Sequence, residues 1–265
     1  MKVNEFKLMV VAGHGQGDPG ACGNGHKEAN INRDLADRIV KYAISKGINV
    51  TLYDPNLNAV TQCKQGNVPQ FAGHHYCLEI HCNASSKDTS RGTMFYVHKD
   101  EVGCSVEQNI LNRLYALGTR KCWDGIVNAF VQFKTGLIVQ NRCKAQGVSH
   151  GLLESFFITN KEDVNWYFTK KDDIAREVVE GIIEGFGLET DIEAPTYAYN
   201  NWIGTIVDCD TLNVRAGGSM AYEVVNTLPA GINVEVFGET SDGWLNIRIC
   251  DDVLGWVFNK YVKRV

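Results

Sequence analysis

Long apolar runs are missing from this sequence. None approaches the ~20 residues that a membrane-crossing helix needs, so no membrane insertion is expected. After Lys2, the short run from residue 8 to residue 12 falls below the ~7–15 residues of a signal-peptide core. It reads instead as the first strand of the fold, in a chain made without its own export signal. The nine cysteines contain no Cys-x-x-Cys pair, which removes the usual spacing of a structural zinc motif. They read as reduced thiols, most of them core fillers, rather than as a disulfide framework. Positive charge is not in excess: 26 Lys and Arg against 31 Asp and Glu leave a net charge of −5. That balance argues against nucleic acid as a partner, because phosphate binding wants a basic surface. A His-Glu-x-x-His motif, internal repeats and low-complexity tracts are absent as well.

What is present is an ordinary globular composition, 44% hydrophobic and 22% charged over 265 residues, enough for one medium domain and a small one. Residues 1–188 alternate strand-like and helix-like stretches. Residues 6–12 read as a strand that runs into Gly13-His14-Gly15-Gln16-Gly17-Asp18-Pro19-Gly20, a loop able to hold an unusual backbone. A helix is expected over residues 28–46, with Ile31, Leu35, Ile39 and Ala43 on one face and Gly47 as its stop. Further strands are expected at 48–53, 77–81, 92–98, 137–140 and 151–154, and further helices at 106–117 and 174–186. Such alternation predicts an α/β fold with a mixed, mostly parallel sheet flanked by helices. Residues 189–202 lose all periodicity and read as a linker. Residues 203–265 change to short alternating strands with Gly and Pro turns, the pattern of a small all-β barrel.

Three candidate metal ligands sit at element ends: His14 after the first strand, Glu28 opening the first helix and His81 ending a central strand. Sites in open α/β sheets collect at the carboxyl ends of strands, and two imidazoles with one carboxylate are a standard catalytic zinc set that keeps a position for water. Glu154, in Leu152-Leu153-Glu154-Ser155-Phe156, is a carboxylate amid apolar residues, which is costly unless it is paired or protonated and suits a proton-transfer role. Spacing alone does not select this set over ordinary structural uses of the same four residues.

The local sequences in order across the first domain resemble the zinc-dependent N-acetylmuramoyl-L-alanine amidases of the amidase-3 type, found in bacterial autolysins and phage endolysins. The resembling pieces are Gly13-His14-Gly15 with Asp18-Pro19-Gly20-Ala21, then Gly25-His26-Lys27-Glu28, Ile80-His81-Cys82-Asn83-Ala84, Arg91-Gly92-Thr93 and Leu153-Glu154-Ser155-Phe156-Phe157-Ile158-Thr159-Asn160. The resemblance implies Zn2+ held by His14, Glu28 and His81, with Glu154 as the catalytic glutamate and Asn83 helping to position substrate. It also implies cleavage of the amide between N-acetylmuramic acid and the L-alanine of the stem peptide in peptidoglycan. Gln16, Cys82, Ser155-Phe156 and the region 121–146 depart from the family pattern, which bears on substrate preference more than on the metal. Cys82 is expected to point away from its neighbour His81, because successive strand residues face opposite sides.

The C-terminal pieces Leu212-Asn213-Val214-Arg215-Ala216-Gly217, Gly243-Trp244-Leu245-Asn246-Ile247 and Gly255-Trp256-Val257 resemble a bacterial SH3 domain, which implies a wall-binding module that raises local substrate concentration. Trp256 reads as core; Trp244 stands as the candidate wall contact. The expectation is a phage or prophage lysin reaching the wall after release from the cytoplasm. A zinc peptidase cutting stem peptides or cross-links, and a wall-binding protein with an inactive enzyme domain, are the competing readings.

Overall fold

In a computed structural model the described residues are 1–101, 105–190, 202–218, 220, 222, 224–240, 242–249 and 252–265. Most of the expected linker, residues 191–201, lies outside them. The chain divides into two compact units, the first made of Met1–Ala43 and Ile48–Glu189, the second of Thr190–Val265 with the short stretch Ile44–Gly47.

In the first unit, β1 (Lys7–Ala12) leads through a two-residue hairpin, β2 (Cys22–Gly23) and β3 (His26–Lys27), into α1 (Glu28–Ser45). Then come β4 (Asn49–Leu52), α2 (Ala59–Gln65), β5 (Tyr76–Asn83), β6 (Thr93–Val97), α3 (Ser105–Ala116), β7 (Lys121–Asn128), α4 (Ala129–Phe133), α5 (Ile138–Ala145), β8 (Ser149–Phe157) and α6 (Lys161–Gly185). The central sheet has the order β4-β1-β5-β8-β6-β7. Four of its five strand pairs are parallel and only β6 against β8 is antiparallel, as expected for a mixed, mostly parallel sheet.

Both faces are covered, so the strands read as continuous apolar runs rather than as alternations. Leu8, Val10 and Ala12 of β1 and Tyr76, Leu78, Ile80 and Cys82 of β5 point into one core, shared with α1, α3 and α6. Met9 and Val11 of β1 and Cys77 of β5 point to the other side, against Ala59 and Cys63 of α2 and Val139 and Cys143 of α5. This period of two is what places Cys77, Glu79, His81 and Asn83 together on one face of β5.

One expected strand is a helix. Residues 137–140 form not a strand but the N-cap and first turn of α5, with Val139, Gln140 and Cys143 buried at helical spacing. Four residues from Leu137 to Gln140 look strand-like alone; the helical period appears only once Cys143 is included. The last helix begins at Lys161, thirteen residues before Ile174, because the Asn160 side chain accepts hydrogen bonds from the Glu162 and Asp163 amides and caps it. The short α2 was not anticipated; Asn58 caps it in the same way.

The second unit is all antiparallel. Its strands are β9 (Trp202–Ile206), β10 (Thr211–Arg215), β11 (Val224–Pro229), β12 (Asn233–Glu239), β13 (Trp244–Ile249), β14 (Asp252–Phe258) and β15 (Val262–Arg264), in the order β11-β10-β14-β13-β12-β9-β15. Leu212, Val214, Val234, Val236, Leu245, Ile247 and Val257 fill its interior. Trp256 is 1% exposed, a core residue as expected. Trp244, the candidate wall contact, is also buried, 6% exposed, and meets Phe258 edge-on with ring centroids 5.5 Å apart. Its packing leaves it little surface for a ligand, and the more open ring of the pair is Phe258.

Candidate metal centre

His14 sits two residues beyond the end of β1, in the left-handed region at φ 64°, where a non-glycine residue is strained. The loop that holds it there is heavily tied. Gly15 and Asp18 exchange two backbone hydrogen bonds. The Arg33 guanidinium donates to the carbonyls of His14, Ala29 and Pro55 at 3.0, 2.8 and 2.7 Å. Gln16, one of the departures from the family pattern, accepts from the Asn58 amide and from Gln62 Nε2 and so fastens the loop to the start of α2.

The loop then turns back through Gly20 so that Glu28, the first residue of α1, lies under it. Glu28 is 3% exposed. Its carboxylate accepts from the amides of Ala21 at 2.8 Å and Cys82 at 3.0 Å. His14 Nε2 lies 3.1 Å from Glu28 Oε2, and His81 Nδ1 lies 2.9 Å from Glu28 Oε1. The two rings stand nearly perpendicular, 4.8 Å between centroids. The ligand atoms of His14, Glu28 and His81 all fall within 4.8 Å of one another. The structure thus brings together the three residues that sequence singled out.

Each imidazole is backed by a second carboxylate on its other nitrogen: His14 Nδ1 meets Asp18 Oδ2 at 2.8 Å, and His81 Nε2 meets Glu79 Oε1 at 3.4 Å. This carboxylate–histidine arrangement fixes the tautomer and aims the remaining nitrogen inward. Burial lowers the basicity of both rings, yet hydrogen bonds to Glu28, Asp18 and Glu79 outweigh it and raise both pKa values. Burial likewise opposes the charge of Glu28, but its bonds to the two histidines hold its carboxyl far below the usual carboxylate range. The cage favours a cation among these groups, and its two imidazoles and one carboxylate are the donors of a catalytic zinc site. Asp18, Arg33 and Glu79 were not singled out by sequence reasoning; a polar residue off the apolar face of its element carries no periodic signal.

Glu154 is the direct neighbour of His81 in the parallel β5–β8 register and faces the same side. Its Oε2 is buried without a hydrogen-bond partner among the described residues. Burial pushes its pKa up to about 7, with the charge of His81 working the other way. A carboxyl poised there suits proton transfer near neutral pH. Ser155, the next residue of β8, donates its hydroxyl to the His81 carbonyl at 2.9 Å and ties the two strands together beside it. Cys82 points away from the cage, as expected, with its thiol 3.5 Å from Asn32 Oδ1.

Glu154 opens into a pocket of about 550 Å³ walled by Asn83, Arg91, Tyr96, Trp123 and Phe133 among others. Asn83 therefore lies on the wall beside Glu154, its Oδ1 accepting from the Ala84 amide. His81 borders a second pocket of about 280 Å³, and Phe133 of α4 lines both. Trp123 and Phe133 come from the region 121–146 that departs from the family pattern, so that region shapes the approach to the site rather than the cage.

Residues 8–184 match the model of the N-acetylmuramoyl-L-alanine amidase family, and residues 210–263 match the bacterial SH3 domain. The chain is 29% identical over 197 residues to the probable autolysin PH of Staphylococcus aureus, a match that takes in 68% of this chain; the chain spans only 38% of that protein's length. Among solved structures, a putative N-acetylmuramoyl-L-alanine amidase of Neisseria meningitidis aligns with a TM-score of 0.54 at 22% identity, covering 69% of this chain and 97% of its own. The catalytic domain of an endolysin targeting Clostridia difficile aligns at 0.53 and 20% identity, covering 68% of this chain and 97% of its own. These structures share the fold of the first unit. With its family model matched over more than half of its length, the chain belongs to the N-acetylmuramoyl-L-alanine amidase family.

Proposed function

We propose that this chain is a zinc-dependent peptidoglycan hydrolase that cuts the amide between N-acetylmuramic acid and the L-alanine of the stem peptide. Residues 1–188 form the catalytic domain in this reading, 189–202 a linker and 203–265 a wall-binding module. The observation that carries it is the convergence of His14, Glu28 and His81 within 4.8 Å, with Glu154 beside His81 in register. His14, Glu28 and His81 would hold the metal. When bound, zinc supplies Lewis-acid activation of water and of the scissile carbonyl. Glu154 accepts the proton of the attacking water and returns it to the alanine nitrogen as the C–N bond breaks, so one water is consumed per amide. Asp18 and Glu79 keep the two imidazoles oriented, and Asn83 contacts the substrate from the pocket wall. The SH3-like module keeps the enzyme on the wall, where the chain acts as a phage or prophage lysin does.

Digestion of purified cell wall tests this. New N-terminal alanine with an intact glycan, lost with a chelator and in Glu154→Ala, is the expected result. Release of other amines would assign a peptidase instead, and clearing by Glu154→Ala at the parent rate would remove the mechanism.

A further inference from the structure

The sheet face that carries His81 holds a second convergence of metal-ligand side chains, further back along the same strands. β5 presents Cys77, Glu79 and His81 in turn, and β8 presents His150 and Glu154; Cys77 stands beside His150 in the register, and His81 beside Glu154. α5 covers the near end and turns Cys143 inward. The thiol sulfurs of Cys77 and Cys143 and a ring nitrogen of His150 lie within 4.8 Å of one another, and all three residues are buried. Cys63 of α2 packs in the same apolar cluster as Cys77 and Cys143. His150 Nε2 is engaged with Glu79 Oε2 at 3.0 Å. With the proton on that nitrogen, Nδ1 is left as the free lone pair, and the Gln140 amide nitrogen near it is 3.5 Å away, at the outer limit of a hydrogen bond.

We propose that Cys77, Cys143 and His150 form a second metal site, separate from the His14–Glu28–His81 centre, that takes a soft divalent cation such as Zn2+. Thiolates and an imidazole are the donors that select zinc over harder cations. Loading forms two metal–sulfur bonds and one metal–nitrogen bond and releases the two thiol protons to solvent. The two thiolates then balance the charge of the ion, so no net charge is buried. Burial pushes the Cys77 thiol well up, so proton release has to be driven by the metal, which ties loading to folding. None of the three residues lines either pocket, so the site is structural. Glu79 joins it to the first centre: one carboxylate oxygen supports His150 and the other supports His81.

The test is metal content and the optical spectrum of the full-length chain, loaded in turn with Zn2+ and Co2+. Two metals per chain are expected. The cobalt form should show a near-ultraviolet sulfur-to-cobalt charge-transfer band, which the nitrogen and oxygen donors of the first centre do not produce. His14→Ala should lose one metal and keep the band, whereas Cys77→Ala with Cys143→Ala should lose the band and keep one metal. If the double variant does not fold, the parent and His14→Ala still decide. One metal per chain without the band overturns the proposal, as does a Cys77–Cys143 disulfide in the unreduced chain. Failure of the first centre would appear separately, as a metal content that His14→Ala leaves unchanged.

Discussion

Glu154→Gln is expected to move activity and stability in opposite directions. The substitution keeps the shape of the side chain and removes its charge. Moving a carboxyl from 4.5 to about 7 corresponds to about 3 kcal/mol for ionising it in place. Water in the pocket screens part of that, leaving about 1–3 kcal/mol. The sign follows from proton binding: between pH 4.5 and about 7 the folded chain holds a proton that the unfolded chain has lost, so stability falls as pH rises through this window. The glutamine variant escapes the loss. In metal-free protein it should match the parent below pH 4.5 and exceed it by the full amount above pH 7. For a unit of this size that is a rise of roughly 3–10 °C in the melting temperature of the first unit, read by calorimetry in chelator at pH 4.5 and 8. Hydrolysis of purified wall should fall by roughly 10²–10⁴-fold, the usual worth of a positioned base. In the zinc-loaded parent, activity should rise with pH along an acid limb lying below 7, because a cation in the cage favours the Glu154 carboxylate. A variant that keeps more than a tenth of parental turnover, or that melts lower than the parent at pH 8, would refute the assignment of Glu154 as a strained, ionised base.

Glu28→Gln should cost one metal equivalent per chain and all turnover, because the neutral amide no longer balances the cation between the two imidazoles; elemental analysis of the purified variant checks this, and retained metal content would exclude Glu28 as a ligand. Gly20→Ala should weaken metal affinity at least tenfold, since a Cβ there would lie 2.7 Å from both Glu28 Oε2 and His14 Cδ2. Gly17→Ala is the control: it too has positive φ but open space around its Cβ position, so it should cost only about 1 kcal/mol of backbone strain and leave metal affinity alone in a competitive chelator titration.

Much of this protein is decided locally and can be read from the chain. Apolar runs bounded by glycine become strands, Ile31, Leu35, Ile39 and Ala43 make one face of a helix, and a change from long to short periodicity marks the all-β segment. The candidate cage was readable only through the ordered resemblance of His14, Glu28, His81 and Glu154 to a family, because positions 14 to 154 have no local relation that physical spacing alone could detect. Tertiary structure decided what depends on register and on which helix covers which face. Leu137 to Gln140 became helical because Cys143 extended the pattern, and Trp244 became interior because Phe258 packs beside it. Asp18 and Glu79 became the backing of two imidazoles only when the loop folded over α1 and β5 alternated its side chains. Cys77 and His150 are 73 positions apart and silent in sequence; a parallel register set them side by side, and α5 brought Cys143 to meet them.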